Sequence, residues 1–146
     1  TDNTPTGVGF NPTGTKMFVV GKQNDLVIEY DLSSAFLPST ATKVHSFIVT
    51  VDTDPEDIHF NPTGTKMFIV GSQADQVHQY TLSAPFVLSS ASHDHAFSIN
   101  TQENNARAIW FDNTGKKMFI IGFTGDDVNV YKLSTPFVVS SASHVS

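Results

Sequence analysis

Residues 10–18 read Phe-Asn-Pro-Thr-Gly-Thr-Lys-Met-Phe, and the same nine residues return in the same order at 60–68. A worn copy, Phe-Asp-Asn-Thr-Gly-Lys-Lys-Met-Phe, follows at 111–119. The copies start 50 and 51 residues apart (60 − 10 and 111 − 60). Two further landmarks keep step: the Tyr-x-Leu-Ser runs opening at Tyr30, Tyr80 and Tyr131, and the phenylalanines Phe36, Phe86 and Phe137. A period of this length marks an array of supersecondary units that bury their apolar surfaces against one another. The chain is therefore one repeat domain, 1–146, with units of roughly 1–50, 51–100 and 101–146.

Each unit reads as four short strands joined by turn residues. The first covers 7–10, 57–60 and 108–111. Asn-Pro-x-Gly then makes a tight turn, because Pro presets φ near −65° and Gly supplies a positive φ. Asn113 replaces the proline in the third unit, where Gly115 keeps the turn with less rigidity. The second strand, at 16–20, 66–70 and 117–121, is almost continuous hydrophobe, the mark of a strand covered on both faces. Gly21, Gly71 and Gly122 end it, and a polar loop follows. The third strand alternates, from Val27, Val77 and Val128 towards the repeated tyrosines. A Ser-rich connection leads to a fourth strand at 43–49 and 93–99. No stretch holds a helical period, so the expected class is all-β.

Bulk properties narrow the functions. A net charge of −6 and a pI near 5.3 speak against a nucleic-acid surface, which rests on clustered Lys and Arg. With no cysteine, thiolate zinc sites, disulfides and cysteine nucleophiles are excluded, and the composition suits an exported or virion protein. No apolar run approaches the roughly 20 residues that span a bilayer. Residues 1–4 do not read as a signal peptide.

Units of four antiparallel strands that must cover each other on both sides fit a radial arrangement, the β-propeller. The repeat Phe-Asn-Pro-Thr-Gly-Thr-Lys-Met-Phe-Val-Val-Gly, followed by Val-x-x-Tyr-x-Leu-Ser, resembles the YVTN-type propeller repeat of bacterial surface, environmental and phage-associated proteins. Three blades fall short of the usual four to eight. A homodimer would complete a six-bladed ring, whereas a longer array would supply further blades on the same chain; a nine-bladed trimer lies outside the usual range. The rival fold is a β-trefoil, which also has three four-stranded units but usually carries a buried Gln-x-Trp-like signature.

The resemblance implies that first strands line a central channel and that the rim at residues 4–6, 52–56 and 102–105, with the polar loops, is the binding face. Positions that differ between near-identical units are the candidates for specialisation. They are Gly9, His59 and Trp110 at one site, and Gly7, Asp57 and Ala108 two residues earlier. Asp57 and His59 fall on one strand face, and Arg107 with Trp110 would make a cation and aromatic patch for a sugar or anion. Gln73 and Asp75 join them from the second polar loop.

The acidic run 52–57 lacks calcium-loop spacing and reads as a solvated loop, with Asp2 and Glu103 the only acids in the sister loops. Asp25, Asp75 and Asp126 or Asp127 recur as turn residues that bond backbone amides. His93 and His95 would share a face of an outer strand as a weak metal pair or as plain edge polarity. Lys16, Lys66 and Lys117 read as structural surface charge.

The leading functional reading is a non-catalytic recognition or assembly module, without cofactor, that binds glycan or protein at a cell or virion surface. A metal-assisted lactonase or related hydrolase is the alternative, with Asp57, Asp75, Asn104 and Asn105 the candidate ligands. A structural repeat without a ligand is the third.

Overall fold

A computed structural model describes residues 3–125 and 127–146. Three four-stranded antiparallel sheets follow one another along the chain, each a simple meander. The first contains β1 (Pro5–Phe10), β2 (Lys16–Gly21), β3 (Leu26–Leu32) and β4 (Ala41–Ile48). The second contains β5 (Pro55–Phe60), β6 (Lys66–Gly71), β7 (Gln76–Leu82) and β8 (Ala91–Ser98). The third contains β9 (Ala106–Phe111), β10 (Lys117–Gly122), β11 (Val128–Leu133) and β12 (Ala142–His144). The opening strands β1, β5 and β9 lie side by side, so the sheets stand next to one another like blades. Separate sheets remove the β-trefoil.

The repeated turn forms as its residues dictate. Gly14, Gly64 and Gly115 take φ of 68°, 69° and 67°. The Asn11 side-chain oxygen accepts the Lys16 backbone amide at 2.9 Å, and its side-chain nitrogen donates to the Thr13 and Thr15 hydroxyls at 3.0 Å each. Asn61 repeats this pattern. Asp112 keeps the third turn without proline, accepting amides from Lys116 and Lys117 at 2.9 and 3.0 Å.

Two strand boundaries differ from the sequence reading. Each first strand begins two residues early and carries a bulge at Thr6, Glu56 or Arg107. The outer strands β4 and β8 also begin two residues early, after short 3₁₀ turns at Pro38–Thr40 and Leu88–Ser90. Val49 and Ile99 sit beyond them, buried, with their amides bonded to the carbonyls of Asp25 and Asp75.

The hydrophobic core lies between sheets. Phe18, Val20 and Val27 of the first pack on Ile58, Phe60, Met67, Ile69 and Tyr80 of the second. Phe68, Val70 and Val77 repeat the arrangement against Ile109, Phe111, Met118, Ile120 and Tyr131. Each blade thus has a leading face that meets its predecessor and a trailing face that meets its successor. At the two ends these faces are open. Val8 is 55% exposed where its equivalents Ile58 and Ile109 are 4% and 3% exposed. Ile121 and Val128 are 44% and 54% exposed, where Val20, Val27, Val70 and Val77 are fully covered.

Candidate functional site

The bulges at the start of the inner strands build one rim. Glu56, a buried bulge residue, ties three blades together: it accepts from Ser72 at 3.0 Å, pairs with Lys22 at 3.5 Å and bonds Arg107 of the next blade. The Arg107 guanidinium also lies 4.8 Å from the centroid of the Phe123 ring.

Beside this bridge, two buried carboxylates hold the polar loops. Asp52 accepts the amides of Asp54 and Ala74 at 3.0 and 3.3 Å. Glu103 accepts those of Asn105 and Thr124 at 2.7 and 3.2 Å. The repeated glycines have a steric reason: a Cβ at Gly71 would lie 2.2 Å from Asp52 Oδ2, and one at Gly122 would lie 2.3 Å from Glu103 Cδ. The expected solvated acidic loop is therefore corrected, since Asp52 and Glu56 are buried and bonded. Asp52 and Glu103 are equivalent residues, a 51-residue step that the sequence contains and that marks them as a pair. Asp2, the matching acid of the first unit, lies outside the described residues.

The loop aspartates act differently from expectation. Asp25 and Asp75 take left-handed φ of 54° and 51°, and their backbone carbonyls accept the amides of Val49 and Ile99. Oδ1 of Asp75 is buried without a hydrogen bond, and burial with the nearby Asp52 and Glu103 charges raises its carboxyl above the usual range. Asp127 accepts from the Asn129 side chain at 2.9 Å, while Asp126 lies outside the described residues. Gln73 stands exposed at the loop tip.

The channel residues meet a neighbouring blade. Asp57 Oδ2 accepts the Ile109 amide of the third blade at 3.0 Å, and Gly7 leaves it room. Burial raises the Asp57 carboxyl, an effect opposed by the amides of Ile109 and Ile58. His59 shares the face of Asp57, as the alternation predicts, and lies 5.5 Å from Phe111 and 6.1 Å from Trp110 between ring centroids. A cleft of about 270 Å³ opens at this end, between His59, Trp110, Phe60, Phe111, Pro62 and Asn113.

The Arg107 and Trp110 patch does not form. Arg107 sits on the bulge and turns to Glu56 and Phe123, whereas Trp110 lies on the open trailing face beside Phe119. His93 and His95 are also separated: Asp94 is an extra residue in the ladder, so His93 pairs with Tyr80 and His95 with Gln79, on opposite faces. His93 instead approaches His78, with 3.4 Å between ring nitrogens. Of the repeated lysines, Lys16 pairs with Glu29 and Asp31, and Lys66 donates to the Phe137 carbonyl.

Burial pushes the His59 imidazole down to about 4. An unfolded chain protonates this histidine near 6.5, so between these values the unfolded state holds the extra proton. The contribution to stability is full above about pH 6.5 and is lost as pH falls towards 4. His78, lowered by the same cause, acts in the same direction. Urea unfolding at pH 7.5 and pH 5 should therefore show a drop that His59→Phe reduces. An undiminished pH slope in that variant would refute the assignment to His59.

No family model matches the chain, and no curated protein matches it. Solved structures do. A protein of Bacteroides uniformis, provisionally named a 6-phosphogluconolactonase, superposes with a TM-score of 0.72 at 12% identity, over 97% of this chain and 40% of that one. The β-propeller domain of Cps50 (Swd1) from Myceliophteria thermophila gives 0.62 at 9% identity, over 97% and 42%. Hsv2 of Kluyveromyces lactis gives 0.61 at 10%, over 99% and 37%. The chain thus spans about two fifths of the length of these structures. At such identities the likeness speaks for the fold alone: this is an all-β chain of three β-propeller blades.

Proposed function

We propose that this chain is a non-catalytic propeller module for recognition and assembly, which presents its bulged rim to a glycan or protein at a cell or virion surface. The observation that carries this reading is the Glu56 bridge. One buried carboxylate joins Lys22, Ser72 and Arg107 from all three blades, making a firm platform for polar loops. The resemblance of the repeat to YVTN-type propellers agrees with a surface setting.

The name carried by two of the similar structures favours a second reading, lactone hydrolysis. Of its candidate residues, Asp57 holds the Ile109 amide, the Asn104 side chain accepts from Thr124 and the Asn105 backbone amide is held by Glu103, while Asp75 keeps one buried oxygen without a hydrogen bond. Glycan-array and whole-cell retention of the purified chain tests the first reading. A Gln73→Ala/Asn104→Ala variant should lose retention at least tenfold with an unchanged melting temperature. Turnover of 6-phosphogluconolactone above the spontaneous rate, abolished by Asp57→Asn, would establish the enzyme instead. Neither retention nor turnover would leave a purely structural repeat.

A further inference from the structure

The two junctions inside the chain are built to one plan. A leading-face aromatic pair, Phe60 with Phe86 or Phe111 with Phe137, receives one phenylalanine from the preceding blade. Phe18 enters the first pair at 4.5 Å from Phe60, and Phe68 enters the second at 4.3 Å from Phe111. A polar latch accompanies each insertion. The Glu29 carboxylate, buried in β3, accepts the Leu88 amide of the next blade at 2.9 Å. The Gln79 side-chain oxygen, buried in β7, accepts the Val139 amide at 3.0 Å.

Both halves of a third such junction stand open at opposite ends of the chain. The first blade has the receiving pair preformed, with Phe10 and Phe36 ring centroids 5.5 Å apart and Phe36 exposed. The third blade has the inserting residue, Phe119, flanked by exposed Trp110, Ile121 and Val128.

The latch positions decide what meets what. Following the repeat, the acceptor after Glu29 and Gln79 is Val130, which has no acceptor side chain. The donor before Leu88 and Val139 is Pro38, which has no amide hydrogen. If either end met a blade like the others, one buried polar group would lose its partner. If they meet each other, no polar group is orphaned. The loss is paired.

We infer that the trailing face of the third blade docks on the leading face of the first blade of a second copy of this chain, with Val130 against the partner's Pro38. Two copies related by a two-fold axis make two such junctions and close a ring of six blades, within the usual propeller range. The inference rests on the assembly half of the proposed function and names its partner. Further blades on the same chain would cover the same faces, and the chain by itself would then stay a monomer at every concentration.

Light scattering across a dilution series, with a mutant cycle at these two positions, tests it. The parent chain should give a species near twice 15.9 kDa. Val130→Gln should weaken that dimer about tenfold or more, because its buried amide finds no donor on Pro38. Adding Pro38→Ala, which supplies the amide found at Leu88 and Val139, should restore affinity to within about threefold of the parent. Circular dichroism of each variant should match the parent, since both side chains lie on open faces. A monomer at all concentrations, a trimer or open fibre, or a dimer in which 38 and 130 act independently would each overturn the inference. Loss of the dimer with glycan retention intact would leave the recognition reading standing.

Discussion

Gly64→Ala is expected to lower stability by about 2–5 kcal/mol, a large fraction of what holds a marginal domain folded. Gly64 sits at φ +69°, a conformation that costs an L-residue about 1–2 kcal/mol. Its missing Cβ is also the space occupied by Phe86, whose ring would lie 2.2 Å from the added carbon. Phe86 cannot retreat easily. Its own φ is 57°, its amide is bonded to the Gly64 carbonyl at 3.0 Å, and its ring packs against Phe18 and Phe60. Overpacking at such a site adds about 1–3 kcal/mol. Gly9→Ala provides the control. There the nearest neighbour of the new carbon is Ile58 Cγ2 at 3.4 Å, an ordinary contact, and the change should be within about 1 kcal/mol of neutral. Chemical denaturation of both variants checks the contrast, and equal losses would show that the turn geometry is not the cause.

Glu56→Ala is expected to cost about 3 kcal/mol and to loosen the rim at the same time. The substitution leaves Arg107, Lys22 and Ser72 without their shared acceptor, and Arg107 Nε is already buried without a partner. Since the carboxylate is buried, 1 M NaCl should remove little of the parent's stability from this source. A double-mutant cycle with Arg107→Leu should show coupling of at least about 1 kcal/mol. Hydrogen exchange should rise in residues 52–56, 72–75 and 103–107 before it rises in β6 or β10. Additive single losses with no change in rim exchange would place Glu56 outside any bridge.

The site is less legible in the sequence than the fold, and particular residues show why. Asp57 and His59 share a strand face by simple alternation, so their juxtaposition was legible. Arg107 and Trp110 are three residues apart, so alternation alone sets them on opposite strand faces, while the bulge that turns Arg107 towards Glu56 has no sequence signature. His93 and His95 would share a face by alternation, and the bulge at Asp94 separates them. Glu56 reads locally as one acid in an acidic run. Its role depends on Lys22 and Arg107, which lie 34 and 51 residues away along the chain (56 − 22 and 107 − 56).

The repeat period, the four-stranded unit, the glycine turns and the apolar second strands are legible in the residues alone, because they follow from local φ/ψ limits and side-chain alternation. Packing of the sheets sets which face of each blade meets a neighbour, and so turned the glycine endings at Gly71 and Gly122 into carboxylate cradles. It also turned Glu29 and Gln79 into latches and left Trp110 at an open end. Contacts between blades join residues about 50 positions apart, and no local pattern encodes which partner a buried polar group will find until the sheets are packed side by side.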